Sequence, residues 1–112
     1  MKAGSYGAAV EILTREIQLN PSDARAYYDR AYAYSAAHDF DKALADCHSA
    51  LDVDPNYARA YCVLGNVNWM IGKQEDAVND YDEALHLDPK DSDIWYNRGL
   101  YYLHQDLSLI HI

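Results

Sequence analysis

An all-α solenoid of stacked antiparallel helix pairs is the fold this sequence predicts, and three observations predict it. Prolines stand 34 residues apart, at Pro21, Pro55 and Pro89. At the same step recur an alanine (Ala9, Ala43, Ala77), a large aromatic (Tyr27, Tyr61, Trp95) and a tiny residue (Ala31, Gly65, Gly99). The apolar triplets Ile17/Leu51/Leu85 and Leu19/Val53/Leu87 keep that register as well. A fixed period of this length marks supersecondary units that bury their apolar faces only against one another.

Each copy reads as two helices and a break. In residues 24–37, Tyr27, Ala31 and Tyr34 fall at helical spacing. The break is His38-Asp39, matched by Gly72-Lys73 in the next copy, where glycine suits a left-handed helix end. A second helix follows over about 40–53, with Phe40, Ala43, Leu44, Cys47, Ala50, Leu51 and Val53 expected to face inward. Asp54-Pro55 closes it, because proline disfavours helical geometry in the residue before it. The same proline can open the following helix, where its missing N–H costs nothing. Gly65 and Gly99 lie inside helices, where glycine costs about 1 kcal/mol against alanine. Close approach of the partner helix, at Ala77 for Gly65, is the expected compensation, and the large aromatics then fill the space between repeats. Arg30 and Arg98 sit among apolar positions and need partners, for which Asp46 and Asp80 are the expected aspartates.

These residues resemble the tetratricopeptide repeat. The family's aromatic-x-x-Leu-Gly-x-x-Tyr is echoed by Trp95-x-x-Arg98-Gly99-x-x-Tyr102, Tyr61-x-x-Leu64-Gly65-x-x-Asn68 and Tyr27-x-x-Arg30-Ala31-x-x-Tyr34. Its Ala-x-x-x-aromatic is echoed by Ala9-x-x-x-Leu13, Ala43-x-x-x-Cys47 and Ala77-x-x-x-Tyr81. The departures are Arg30 and Arg98 for leucine and Asn68 for tyrosine. The frame makes residues 1–112 a single solenoid fragment. Residues 4–21 form the second helix of a partial repeat, 24–57 and 58–91 are full repeats, and 92–104 is the first helix of another. The tail 105–112 departs from the pattern, with His111 where alanine is due, and the whole reads as an excerpt of a longer array.

The resemblance implies a right-handed superhelix whose first helices line a concave, peptide-binding face. Carried over position by position, that face comprises Arg25, Tyr28, Tyr32, Ser35 and Ala36, then Arg59, Cys62, Asn66, Trp69 and Met70, then Asp93, Tyr96, Asn97, Leu100 and His104. Aromatics edged by arginine have the composition of an interaction surface. The family's clamp for chaperone tails is matched only at Asn66 and Asn97; Cys62 replaces its lysine, and the repeat supplying further cations is absent. A full carboxylate clamp is therefore not expected unless repeats outside this excerpt supply the cations.

Composition narrows the remaining classes. The net charge is −9, concentrated in residues 38–54 and 73–88, which carry local excesses of four and five negative charges. Such a surface repels phosphate, so nucleic acid is not an expected partner. No apolar run is long enough for a membrane span, and no signal-type stretch follows Met1, so a cytoplasmic location is expected. Cys47 and Cys62 lack partners at metal-ligand spacing, Cys47 reads as a core residue, and the five histidines form no pair on one helix face; neither metal nor cofactor is expected. No nucleophile elbow, phosphate loop or Cys–His pair is present, and the paired carboxylates fall on polar helix faces, so the expectation is a non-enzyme. Two functions remain: an adaptor that binds an extended peptide or protein segment in its groove, or a structural spacer packing end to end. Whichever holds, the uncapped terminal helices imply self-association or marginal stability as a monomer.

Overall fold

The computed structural model describes residues 3–110, with side chains described for residues 5–100 and Leu103. Six helices run through them: α1 (Ala3–Leu19), α2 (Ala24–Ala36), α3 (Phe40–Val53), α4 (Ala58–Met70), α5 (Gln74–Leu87) and α6 (Ser92–Ile110). Among the described residues there is no strand. Helices α2 and α3 make one antiparallel pair and α4 and α5 the next; α3 packs on α4, α1 on α2, and α6 on α4 and α5. The result is an all-α solenoid, elongated to 50 × 31 × 21 Å. Its radius of gyration is 14.4 Å, against about 13 Å for a compact domain of this length.

The turns follow from backbone chemistry. His38 and Gly72 hold φ of 64° and 89° at the ends of α2 and α4. There the N–H groups of Asp39 and Lys73 reach back to the carbonyls of Tyr34 and Asn68, satisfying acceptors that the helix end leaves open. The prolines lie in the turns between repeats and do not open the next helix. Asp54 is extended (φ −135°), as the residue before proline must be, and its carboxylate accepts from the Asn56 N–H at 3.0 Å. Helices then begin beyond the prolines, α2 behind Asp23, whose side chain accepts from Ala26 N–H at 3.2 Å.

Two apolar clusters fill the interior. One gathers Ala31, Ala43, Cys47, Val63, Leu64 and Val67; the other gathers Cys62, Ala77, Tyr81, Ala84, Leu85 and Ile94. Tyr61 packs against both, so an aromatic does fill the space between repeats. Trp95, at the equivalent position in α6, is instead 50% exposed, its indole N–H donating to the Pro89 carbonyl at 2.7 Å. Val53, expected inside, is also exposed, as the last residue of α3.

Arg30 pairs with Asp46 through two 2.7 Å bonds, Nε to Oδ2 and Nη2 to Oδ1, and reaches Thr14 of α1 at 3.2 Å. Its guanidinium also sits 5.9 Å from the ring centres of Tyr27 and Tyr34. The expected Arg98–Asp80 pair does not form. The productive geometry joins the two helices of one repeat, and in the second repeat the position equivalent to Arg30 is Leu64, so Asp80 meets no arginine there. Asp80 instead accepts from the Asn68 amide at 2.7 Å, and Arg98 pairs with Asp82 at 3.0 Å.

Two consequences are measurable. An added Cβ on Gly65 would lie 3.0 Å from Tyr81 Cε1 and 3.2 Å from the Ala77 carbonyl oxygen, whereas at Gly99 nothing described lies within 4 Å. Gly65→Ala is expected to lower unfolding free energy by about 1 kcal/mol despite its better helix propensity. Gly99→Ala should raise it by about 1 kcal/mol, and denaturant titration distinguishes the signs. Burial lifts the Asp80 carboxyl from 3.8 to about 6 even though the Asn68 bond pulls the other way. A raised folded-state pKa favours the neutral acid, so its contribution to stability is full below 3.8 and is lost as pH rises through about 6. Asp80→Asn should therefore raise the melting temperature at about pH 7, with the gain fading near pH 4.

Candidate functional site

The inner face of α2, α4 and α6 carries a groove of about 490 Å3. Positions 28, 62 and 96, one repeat apart, place Tyr28, Cys62 and Tyr96 along it. One turn further along, α2 and α4 contribute Tyr32 and Asn66, while Arg59, Asp93 and Asn97 form its polar edge. Arg25 lines an adjoining hollow with Tyr28, Asp29, Tyr32, Tyr57 and Arg59. Thus nine of the fifteen residues expected on this face line one continuous surface.

Trp69 is not among them. It is partly buried and packs against the cluster containing Cys62, Tyr81 and Leu85, so its ring belongs to the packing behind the groove. Of the outer positions, Met70 is exposed, Ser35, Ala36 and Leu100 are half-buried, and His104 lies outside the residues whose side chains are described.

The polar groups are largely engaged with each other. Arg59 donates from Nε to Asp91 at 2.9 Å and from Nη2 to Asp93 at 3.2 Å. It also shares a bond with the Tyr28 hydroxyl, and the Asp91 bond raises its already high pKa. Burial opposes ionisation of Asp91, but bonds from Arg59 and the Asp93 N–H hold its carboxyl below the usual value. Arg25 sits 3.8 Å from Asp29. The Asn97 amide donates to the Asp93 carbonyl at 2.9 Å and lies 3.3 Å from Cys62 Sγ. The Tyr81 hydroxyl donates to Asn66 Oδ1. Tyr28 stacks at a tilt on Tyr57, ring centres 5.5 Å apart, and burial pushes its hydroxyl pKa up. Tyr32 and Tyr96 stand free of such packing, 58% and 67% exposed.

Sequence reasoning missed Val63 and Ile94, which form the groove floor, and Asp91, which anchors Arg59. The charge pattern at positions 25, 59 and 93, Arg, Arg, Asp, signals opposite charges across the α4–α6 step but points to Asp93, while the register of Asp91, with Asp23 and Tyr57, carries no such signal. Burial raises the thiols of Cys62 to about 11 and Cys47 to about 12, which keeps both protonated and unreactive. Among the described residues no group of three His, Cys, Asp or Glu side chains is placed to hold a metal, and no helix is long and apolar enough to cross a membrane.

Residues 24–57 match the family described as tetratricopeptide repeat, and residues 71–106 match that described as TPR repeat. The small glutamine-rich tetratricopeptide repeat-containing protein 2 of Mycosarcoma maydis is 35% identical over 89 residues, 80% of this chain and 25% of that protein. The chain thus spans about a quarter of the length of such relatives. Among solved structures, the first TPR of Spaghetti (RPAP3) bound to the HSP90 peptide SRMEEVD is 28% identical, with a TM-score of 0.80 over 94% of this chain and 82% of that one. The TPR2B domain of yeast Sti1, in complex with an Hsp70 segment, is 30% identical, with a TM-score of 0.79 over 88% of this chain and 82% of that one.

The two groups of groove aromatics predict different stabilities. Trp69→Ala should cost about 2 kcal/mol, because the indole packs on the core. Tyr32→Ala should stay within about 0.5 kcal/mol of the parent. Thermal unfolding followed by circular dichroism measures both.

Proposed function

The chain belongs to the tetratricopeptide repeat family, and from that premise we propose that it is a non-catalytic interaction module whose concave groove holds an extended peptide segment of a partner protein. The observation that carries this reading is the pair Tyr32 and Tyr96, large rings held in solvent on the wall of a formed groove. Rigid aromatics with a polar tip supply contact area at low entropic cost, which is why they anchor interfaces. Solved tetratricopeptide domains of similar fold hold peptides, as the complexes with SRMEEVD and the Hsp70 segment illustrate. Tyr28 and Tyr57 brace the wall from behind, and Asn66 and Asn97 lie where a peptide backbone would pass. A cytoplasmic setting forms part of the same proposal.

A second reading has its own observation. On α6, Gly99 faces open space among the described residues, and Trp95 and Leu103 are about half exposed. In α4 the equivalent of Gly99, Gly65, is covered by Tyr81. A spacer role would use this face for end-to-end packing, through a further helix or a second copy.

One experiment separates the two. Peptides selected from a displayed random library should bind the chain with affinity on the order of micromolar, about −8 kcal/mol. Tyr32→Ala and Tyr96→Ala should each weaken binding at least about tenfold without loss of helicity. Binding that ignores both changes and falls when Leu103→Glu alters the α6 face would favour the spacer and exclude the groove.

A further inference from the structure

We propose that this groove is set against acidic tails and selects a segment carrying lysine or arginine beside its apolar anchor, with Asp93 as the specificity-determining residue. The inference rests on the groove being the peptide site. Its basis is the balance of charge around that groove. Two guanidiniums face it, and both are already paired: Arg59 with Asp91 and Asp93, Arg25 with Asp29. Three carboxylates therefore surround two cations, in a chain whose net charge is −9. The central position on α4 that could offer a further cation is the buried, neutral Cys62.

An incoming carboxylate would have to displace Asp93 from Arg59 Nη2, losing one charge-assisted bond to make another, while lying next to the expelled aspartate. The amide of Asn97 is no substitute, since its NH2 already donates to both the Asp93 carbonyl and Cys62 Sγ. A cation meets the opposite situation. The Asp93 side chain is 74% exposed and commits one oxygen to Arg59, leaving the other free for an ammonium or guanidinium. Tyr32 and Tyr96 stand on the same surface and offer ring faces to that cation. Asp93 thus does two things at once: it cancels Arg59 and supplies the acceptor.

The test uses the whole chain and two labelled heptapeptides, SRMEEVD with its free carboxylate and the charge-reversed SRMKKVK with an amidated end, in fluorescence anisotropy titrations. The reversed peptide should bind at least about tenfold more tightly at low salt, with the advantage shrinking to about threefold or less at high salt. Asp93→Asn should narrow the gap at least about threefold, by weakening the basic peptide and freeing Arg59 for the acidic one. Glu75→Gln, an equal charge change on exposed α5 outside the groove, should leave the gap in place. Tighter binding of SRMEEVD overturns the selectivity while leaving the groove as the peptide site. Equal effects of Asp93→Asn and Glu75→Gln would reduce the preference to attraction by overall charge and overturn the role of Asp93. Binding of neither peptide, or binding untouched by Tyr32→Ala, removes the groove reading and this inference with it.

Discussion

Everything in this solenoid depends on how closely paired helices approach at their small residues. The Gly65 backbone lies against the Ala77 carbonyl and the Tyr81 ring, and Ala31 and Ala43 meet inside the preceding pair. Without a side chain at the crossing, the axes come near enough for Tyr81 to be fully buried under α4. From there its hydroxyl bonds to Asn66, on the groove side of the same helix. The crossing therefore fixes the rotation of α4 about its own axis. That rotation decides that Cys62 and Asn66 face the groove while Leu64 and Val67 meet the other pair. A core contact of one atom's breadth sets which residues a ligand would see.

The repeats share this geometry but not their polar chemistry. Arg30 joins α1, α2 and α3 through Thr14 and Asp46, and both charges are largely buried. Breaking such a pair leaves an uncompensated charge, at a cost of about 3–5 kcal/mol. In the second pair Leu64 takes the arginine's place, and Asp80 keeps only an amide partner. Leu64 adds apolar packing there, and the residual carboxylate stays half buried with a raised pKa. The equivalent arginine on α6 turns back to Asp82. One register position thus yields a buried ion pair, an apolar contact and an exposed ion pair in successive copies.

Much of this could be read from the residues. Helix limits were legible because Asp-Pro, His38 and Gly72 act through local sterics, which need no knowledge of distant neighbours. The groove line was legible because positions a repeat apart must stack, so Tyr28, Cys62 and Tyr96 fall in register whatever their identity. Partner choice was not. Whether Arg98 reaches Asp80 or Asp82 depends on which helix carries the facing acid, and the period leaves both within reach. Trp69 escaped for a similar reason: it sits on the face of α4 where groove and core meet, and only the depth of the α4–α5 contact decides which side receives a large ring. The proline turns were misplaced because proline suits both the last turn residue and the first helical one, and the Asx contacts made by Asn20 and Asp54 tip the balance toward the turn.

The groove's own stiffness has the same origin as the selectivity proposed for it. Helix α6 is held to α4 by the buried Ile94, by the Asn97 amide on Cys62 Sγ and by the two bonds from Arg59 to Asp91 and Asp93. Asp91 also bonds the N–H of Asp93, so it caps α6 and anchors the arginine together. A ligand that competes for Arg59 must loosen the α4–α6 contact that shapes its own site. One that approaches the outer oxygen of Asp93 leaves that contact intact and adds to it. A pre-formed wall costs less to order on binding, which favours ligands that accept the pairs as they stand. On the proposed reading, the ion pairs that make α6 part of the fold would thereby also determine which charges the groove can receive.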